Sequence, residues 1–479
     1  MAAASVLLAT TFSTSALADE TAPRTIADES IYDLLVDRFF NGDGRNDFDV
    51  DAKDSSKFAG GDFSGVVAKK DFILNMGFTA ISIGSIFTTE KYDGSLPTSY
   101  ITVEDNFGTD AELARLVEEY HSKDVKVIAD FPLNNVSANH EWAVNADWVQ
   151  QVADGTLQWN FDNRALREAL KEAVTTFATT YQFDGIRLTN STEVDSAFIN
   201  EMIAALKAAH PDFYVFANEE SKANVDISFS NDTALIFSAI FNNVDLDSSR
   251  LEEYLAQDAP AQLMLDTLWS DRFIKSVEAS GGYPPTRMKM ALSGMLLLPG
   301  VPVLPYGSEI AMNGLAGEES HQLYNFKTDS ELADYMGQLQ SLRNDSKTLR
   351  TGDFRLLKNE NGYIVFERKS DVEHWIVVIN NSSETQRISI PVAEIGEGKE
   401  VRGMFESEII RENKDGDYAV YLDREMVEVY QVIDERGLNV SYFIALGLVI
   451  VLYAVFMVVI MKRGKVRRAE QDKARVAKQ

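Results

Sequence analysis

From residue 30 to about 315 the chain alternates short apolar runs with longer stretches in which apolar residues recur at helical spacing. Eight runs have strand length: 31–36, 80–83, 125–130, 185–188, 213–217, 234–237, 263–266 and 301–305. Parallel strands need crossovers long enough for a helix, so this alternation predicts an α/β domain with a parallel sheet. Eight units predict a (β/α)8 TIM barrel, with site residues at the C-terminal strand ends. An open doubly wound sheet is the alternative. Pro302 and Pro305 sit poorly in it, because proline cannot donate to a ladder and tends to leave central strands.

After a helical stretch at 331–343 the period changes. Tyr363-Ile364-Val365-Phe366 and the run His374 to Ile379 read as strands, and Asn361-Gly362, Asn380-Asn381 and Asp415-Gly416 as turns. An antiparallel β-sandwich is predicted for 346–433.

The two ends follow neither pattern. Residues 1–18 are a short apolar run ending in Ala16-Leu17-Ala18, the form of a signal peptide with its cleavage site. Residues 437–461 contain no charged side chain, and 442–461 is a 20-residue apolar run. At about 1.5 Å per residue it spans roughly 30 Å, the thickness of the hydrocarbon layer. A transmembrane helix is expected over 440–461. The tail 462–479 carries eight Lys/Arg and two acids, which places it in the cytoplasm and the rest of the chain outside the cell membrane.

Composition sharpens this picture. There are no cysteines, so disulfides and thiolate metal sites are excluded. Removing the tail's +6 from the net charge of −29 leaves −35 on residues 1–461, a poor match for nucleic acid.

Eight segments stand out in order along the chain: IYDLLVDRFFNGDGRND (31–47), FAGGDFSGV (58–66), GFTAISIGSIF (77–87), VIADFPLNNVS (127–137), FDGIRLTNSTEV (183–194), VFANEES (215–221), LMLDTLWSDRF (263–273) and 283–314. In order and spacing they resemble glycoside hydrolase family 13, the α-amylase family. The resemblance implies a barrel over 30–134 and 162–345, a short domain B at 135–161 and the C-terminal sandwich. It also implies retaining hydrolysis of α-glucans, in which one carboxylate attacks the anomeric carbon and a carboxylic acid protonates the leaving oxygen.

Carried over residue by residue, those roles are mostly vacant. Arg187, beside the nucleophile position, is kept, but the nucleophile position holds Thr189. Glu219 matches the general acid. The family's Asn-His-Asp is Thr267-Leu268-Trp269, so Trp269 stands where the second aspartate belongs, with bulk that would fill the sugar subsite. Asp130 and Asn134 persist as substrate-binding candidates, but the histidine after Asn134 is Asn135. The Tyr-His-Gly-Tyr motif reads Tyr92-Asp93-Gly94-Ser95, and the Lys-His pair after the nucleophile reads Thr192-Glu193. Arg187, without the nucleophile carboxylate, is expected to pair with Glu219 or Asp130. Glu193, Glu220 and Asp271 lie near the motifs, but strand alternation aims immediate neighbours away from the pocket.

Asn41, Asp43, Asn46 and Asp47, followed by Gly60 and Asp62, match the calcium loop of cyclodextrin glucanotransferase-like members. Side-chain and carbonyl oxygens of these residues are the hard donors Ca2+ takes. A polar Asp/Asn/Gly turn is the simpler reading of the same residues. The function expected is a membrane-anchored, catalytically impaired ectodomain that binds α-glucan or maltooligosaccharide, or a surface module for a protein partner. The alternatives are an active α-glucan hydrolase using Glu219 as general acid, and a structural subunit of a membrane complex.

Overall fold

The computed structural model describes residues 24–256, 261–435 and 440–476. The proposed signal peptide lies outside the described residues. The chain divides into two compact units. The first runs to Ile388 and adds Gly403–Glu408 and Val420–Gln431; the second comprises Ser389–Arg402, Ile409–Ala419 and everything from Val432.

The first unit is built on a parallel sheet. In chain order it contains β1 (Ile31–Asp33), β2 (Ala80–Ser82) and β3 (Lys126–Pro132). An inserted sheet follows, β4 (Val136–Ser137), β5 (Val149–Ala153) and β6 (Thr156–Trp159). Then come β7 (Gly185–Thr189), β8 (Tyr214–Ala217), β9 (Gln262–Leu263) and β10 (Val301–Pro305). The parallel order is β8-β7-β3-β2-β1-β10-β9. The gap between β8 and β9 is bridged by 226–228. Asp226 N–H donates to the Val215 carbonyl at 2.8 Å, Gln262 N–H to the Ser228 carbonyl at 2.9 Å, and Ser228 pairs in parallel with Ala261. This closure, not the prolines, excludes an open sheet. β10 has β1 on one side and β9 on the other, with Pro302 and Pro305 both in register.

One expected strand is a helix. Residues 234–237 lie inside Asn231–Phe241, whose N-terminus is capped by Ser230. Its buried residues, Thr233, Ile236, Phe237, Ile240 and Phe241, recur at helical spacing. The four-residue apolar run hid that longer period. The eighth barrel position is filled by 226–228, inside the alternating run Val225-Asp226-Ile227-Ser228-Phe229, with Ile227 in the core.

Helices cover the sheet with regular apolar faces. Arg164–Tyr181 buries Leu166, Leu170, Val174, Phe177 and Ala178, and Asn163 caps it by accepting from the amides of Ala165 and Leu166. Each large side chain so buried contributes about 1.5–3 kcal/mol. Gly185 opens β7 because a Cβ there would lie 2.8 Å from the Cβ of Tyr214. That close approach of β7 to β8 sets the register that carries Arg187 and Thr189 into the barrel end.

The inserted sheet, order β4-β6-β5, lies between β3 and β7, in the segment read from the resemblance as domain B. His140 is buried there among Tyr100, Trp142 and Trp159, at ring distances of 4.7, 5.5 and 5.1 Å. Its Nδ1 accepts from the Trp142 amide, which requires the neutral ring. Burial pushes its pKa down to about 4. Protonation therefore favours unfolding. The stabilisation is complete above about 6.5, the unfolded value, and declines as pH falls toward 4, at up to about 1.4 kcal/mol per pH unit. Tryptophan fluorescence should report loosening of this segment across that window in wild type and none specific to it in His140→Asn.

Beyond the barrel, β11 (Asp353–Glu360), β12 (Tyr363–Lys369) and β13 (His374–Asn380) form an antiparallel meander, with β14 (Gln386–Pro391), β15 (Lys399–Gly403), β16 (Ile409–Arg411), β17 (Asp417–Leu422) and β18 (Met426–Asp434) following. Asn361 and Gly362 both adopt positive φ, 50° and 77°, as a two-residue hairpin turn requires. β13 pairs with β18, and β15 with β16. In the second unit, Val440–Val476 is one helix. Among the described residues it is the one helix long and apolar enough to cross a membrane.

Candidate functional site

The C-terminal ends of β3, β7 and β8 and the loops after β2 and β9 surround a cavity of about 470 Å³. Its lining includes Asp93, Asp130, Thr189, Glu219, Met264 and Trp269. The sequence motifs thus converge on one place, where a barrel carries its chemistry.

Beneath the cavity lies a buried ion cluster. Arg187, on the inward face of β7, forks onto two carboxylates. It donates to Asp33 at 2.7 and 2.9 Å and to Asp130 at 2.8 and 2.9 Å. All three residues are 2% exposed. Burial works against the charge on Arg187, but the two carboxylates outweigh it and raise its pKa. Burial likewise pushes Asp130 up against the pull of Arg187. Arg187 pairs with Asp130, one of its two expected partners; Glu219 is not the other. Asp33 was not a site candidate, although an inward carboxylate in the buried strand Ile31-Tyr32-Asp33 is itself a signal that a cation must face it.

Glu219 is held elsewhere. Asn190 turns the chain at the end of β7 with φ 54°, a left-handed conformation that asparagine tolerates. That turn aims the amides of Ser191 and Thr192 at Glu219 Oε2, at 2.7 and 2.9 Å, and their hydroxyls lie at 3.3 and 2.7 Å. Four donors of the 190–192 turn thus converge on one oxygen of Glu219.

Trp269 does not fill the cavity. It is 40% exposed and lines the wall, with the Arg187 guanidinium 5.1 Å from its ring centre. Leu235, 58% exposed, and Phe229 line the same cavity. Asn134 is not part of the lining; its Oδ1 accepts from the Trp159 amide at 2.9 Å and ties β3 to domain B. Glu193, Glu220 and Asp271 are also absent from it, and Asp271 accepts from the Ala316 amide.

The polar loop after β1 separates its six candidates into two groups. Asn41 Nδ2 faces both oxygens of Asp47, at 2.9 and 3.0 Å. A Cβ on Gly60 would fall 2.6 Å from Asn41 Nδ2 and 2.7 Å from Asp47 Oδ1, so these three residues are in contact. Asn46 Oδ1 is buried without a protein partner among the described residues. Asp43 is instead engaged by Arg45, whose side chain holds its carboxyl down to about 2. Asp62 caps the helix Phe63–Ala68 through Gly65 N–H and accepts from the amides of Gly42 and Asp43. Among the described residues no group of three or more His, Cys, Asp or Glu side chains is placed to hold a metal. What the loop offers is one carboxylate with amide and carbonyl oxygens, a donor set suited to a hard cation.

Two family models match this chain: the α-amylase catalytic domain over residues 33–153 and the α-amylase C-terminal domain over 352–430. A solved α-amylase from Anoxybacillus is 32% identical, with a TM-score of 0.82, over 87% of this chain and 100% of that one. The chain belongs to glycoside hydrolase family 13, the α-amylase family. The α-amylase of Geobacillus thermoleovorans, solved with acarbose, is 30% identical with a TM-score of 0.80, over 86% of this chain and 100% of its own. A beta/alpha-amylase from Paenibacillus polymyxa is 26% identical over 76% of this chain, and the match spans 34% of that longer protein. A cyclomaltodextrinase from Geobacillus thermopakistaniensis is 24% identical over 78% of this chain and 72% of its own. Within this α-amylase family member, Thr189 and Trp269 both line the cavity at the C-terminal end of the barrel.

Proposed function

We propose that this family member is a membrane-anchored ectodomain that binds α-glucan without hydrolysing it. One observation carries the reading: the family's nucleophile position at the end of β7 presents a threonine to the cavity. A hydroxyl without an adjacent base is a poor nucleophile. Of the three cavity carboxylates, Asp130 is held by Arg187, Glu219 receives the amides of the 190–192 turn on one oxygen, and Asp93 lies on the loop after β2 and accepts from the Ser95 amide. The exposed Trp269 and the half-buried Phe229 in the same lining support retained sugar binding, since pyranose rings stack on aromatic faces. Solved chains of this fold hold maltose and maltotriose.

The apolar helix followed by the basic tail supports anchoring, with the tail cytoplasmic. The deciding assay is hydrolysis of maltoheptaose by the full chain in detergent, beside Glu219→Gln. Binding without turnover in either protein is the expected result. Turnover abolished by the substitution would establish the hydrolase reading instead.

Calcium belongs to the same proposal. Asn41, Asn46 and Asp47 with the Gly60 carbonyl would hold it; the Asn41 amide needs only to reverse its oxygen and nitrogen to face a cation beside Asp47. Chelation by EGTA should lower the melting temperature of wild type. Asp47→Ala should start lower and lose its response to calcium.

A further inference from the structure

The cavity has a charge pattern that glucan binding does not require. Its lining contains three carboxylates, Asp93, Asp130 and Glu219, and no lysine, arginine or histidine. Of the residues that the resemblance matches to the family's basic positions, Asp93 alone is in this lining, and it puts an acid where the family has a histidine. The nearest cation, Arg187, is already shared between Asp33 and Asp130 and leaves that buried trio with net charge −1. Among the described residues no basic side chain pairs with Asp93 or Glu219. Asp93 accepts only from the Ser95 amide, at 3.0 Å, and Glu219 only from the 191–192 turn. Beside these acids stands the exposed Trp269 ring, the aromatic best suited to a cation.

A second observation points into the same cavity. Ser85 lines it and is 7% exposed, yet its Oγ has no protein partner among the described residues. Asn218 Oδ1, in the same lining, is also buried without one. Buried polar atoms are ordinarily paired, so these two mark places for a ligand's donors.

We propose that the cavity recognises an oligosaccharide bearing protonated amines. The amines would face Asp93 and Glu219, the ring faces would lie against Trp269, and ligand hydroxyls would meet Ser85 and Asn218. The proposal rests on reading the cavity as a saccharide site.

The test is calorimetric titration of the full chain in detergent with three trimers: β-1,4-linked glucosamine, its fully N-acetylated counterpart and maltotriose. Acetylation keeps the skeleton and removes the charge, so it isolates the cation. The expected result is binding of the amine trimer about tenfold tighter than the acetylated form at low salt. That advantage should shrink when salt is raised to about 0.3 M. Asp93→Asn keeps the acceptor for Ser95 and should narrow the ratio about threefold with an unchanged melting temperature. Glu219→Gln, on a different element, should narrow it as well. Equal binding of the charged and acetylated trimers, or tighter binding of maltotriose, would overturn the amine proposal and leave the saccharide reading intact. Binding of none of the three would overturn both.

Discussion

Arg187→Met is expected to be the most damaging single substitution in the barrel. It leaves Asp33 and Asp130, both 2% exposed, facing each other without a cation. Removing one partner from a buried ionic cluster costs about 3–5 kcal/mol, because the remaining charge stays desolvated. For a protein of this size that lowers the melting temperature by roughly 3–5 °C. Arg187→Lys should recover only part of the loss, since an ammonium cannot fork bidentately onto two carboxylates. Differential scanning calorimetry at pH 7 checks this. A melting temperature within a degree or two of wild type would show that the cluster does not hold the barrel end together.

The second expectation concerns restoring the family's nucleophile. Thr189 and Arg187 lie two residues apart on β7 and therefore on the same inward face, about 6.6 Å apart along the strand. In an enzyme with a carboxylate at that position the arginine has it as a neighbour; here Asp33 and Asp130 already use the guanidinium's donors. Thr189→Asp therefore adds a third acid around one cation and should cost about 2–3 kcal/mol. Thr189→Asn, of the same shape and uncharged, should cost less than about 1 kcal/mol. Asp33→Asn combined with Thr189→Asp should recover most of the loss, giving a coupling of at least about 1 kcal/mol in a double-mutant cycle. Urea unfolding of the four proteins measures it. Additive effects would mean that Asp33 and position 189 do not compete for Arg187.

Both expectations tie position 189 to the ion cluster in the barrel core as well as to the pocket. A change at position 189 alone meets an arginine whose charge is already matched.

Much of this was legible in the chain itself. Seven of the eight barrel strands follow from short apolar runs between amphipathic stretches, and the β-rich C-terminal region and the apolar terminal helix follow from period and composition. Thr189, Trp269 and the missing histidines are identities at fixed places in local motifs, so no structure was needed to see them. Tertiary structure decided the rest. The run 234–237 became a helix because its buried neighbours extend to 241 at helical spacing, and the barrel closed through 226–228 by two backbone hydrogen bonds and a single bridge rather than a full strand. Arg187 found Asp33, 154 residues away, because β1 and β7 both point side chains into the same barrel end. Trp269 became a wall because Arg187 sits under its ring, and the calcium candidates divided because Arg45 and the helix at Phe63 claim two of them. Sequence determines which groups are present and which local period they follow. Which charges meet is set by closure of the barrel, and spacing along a chain does not encode that.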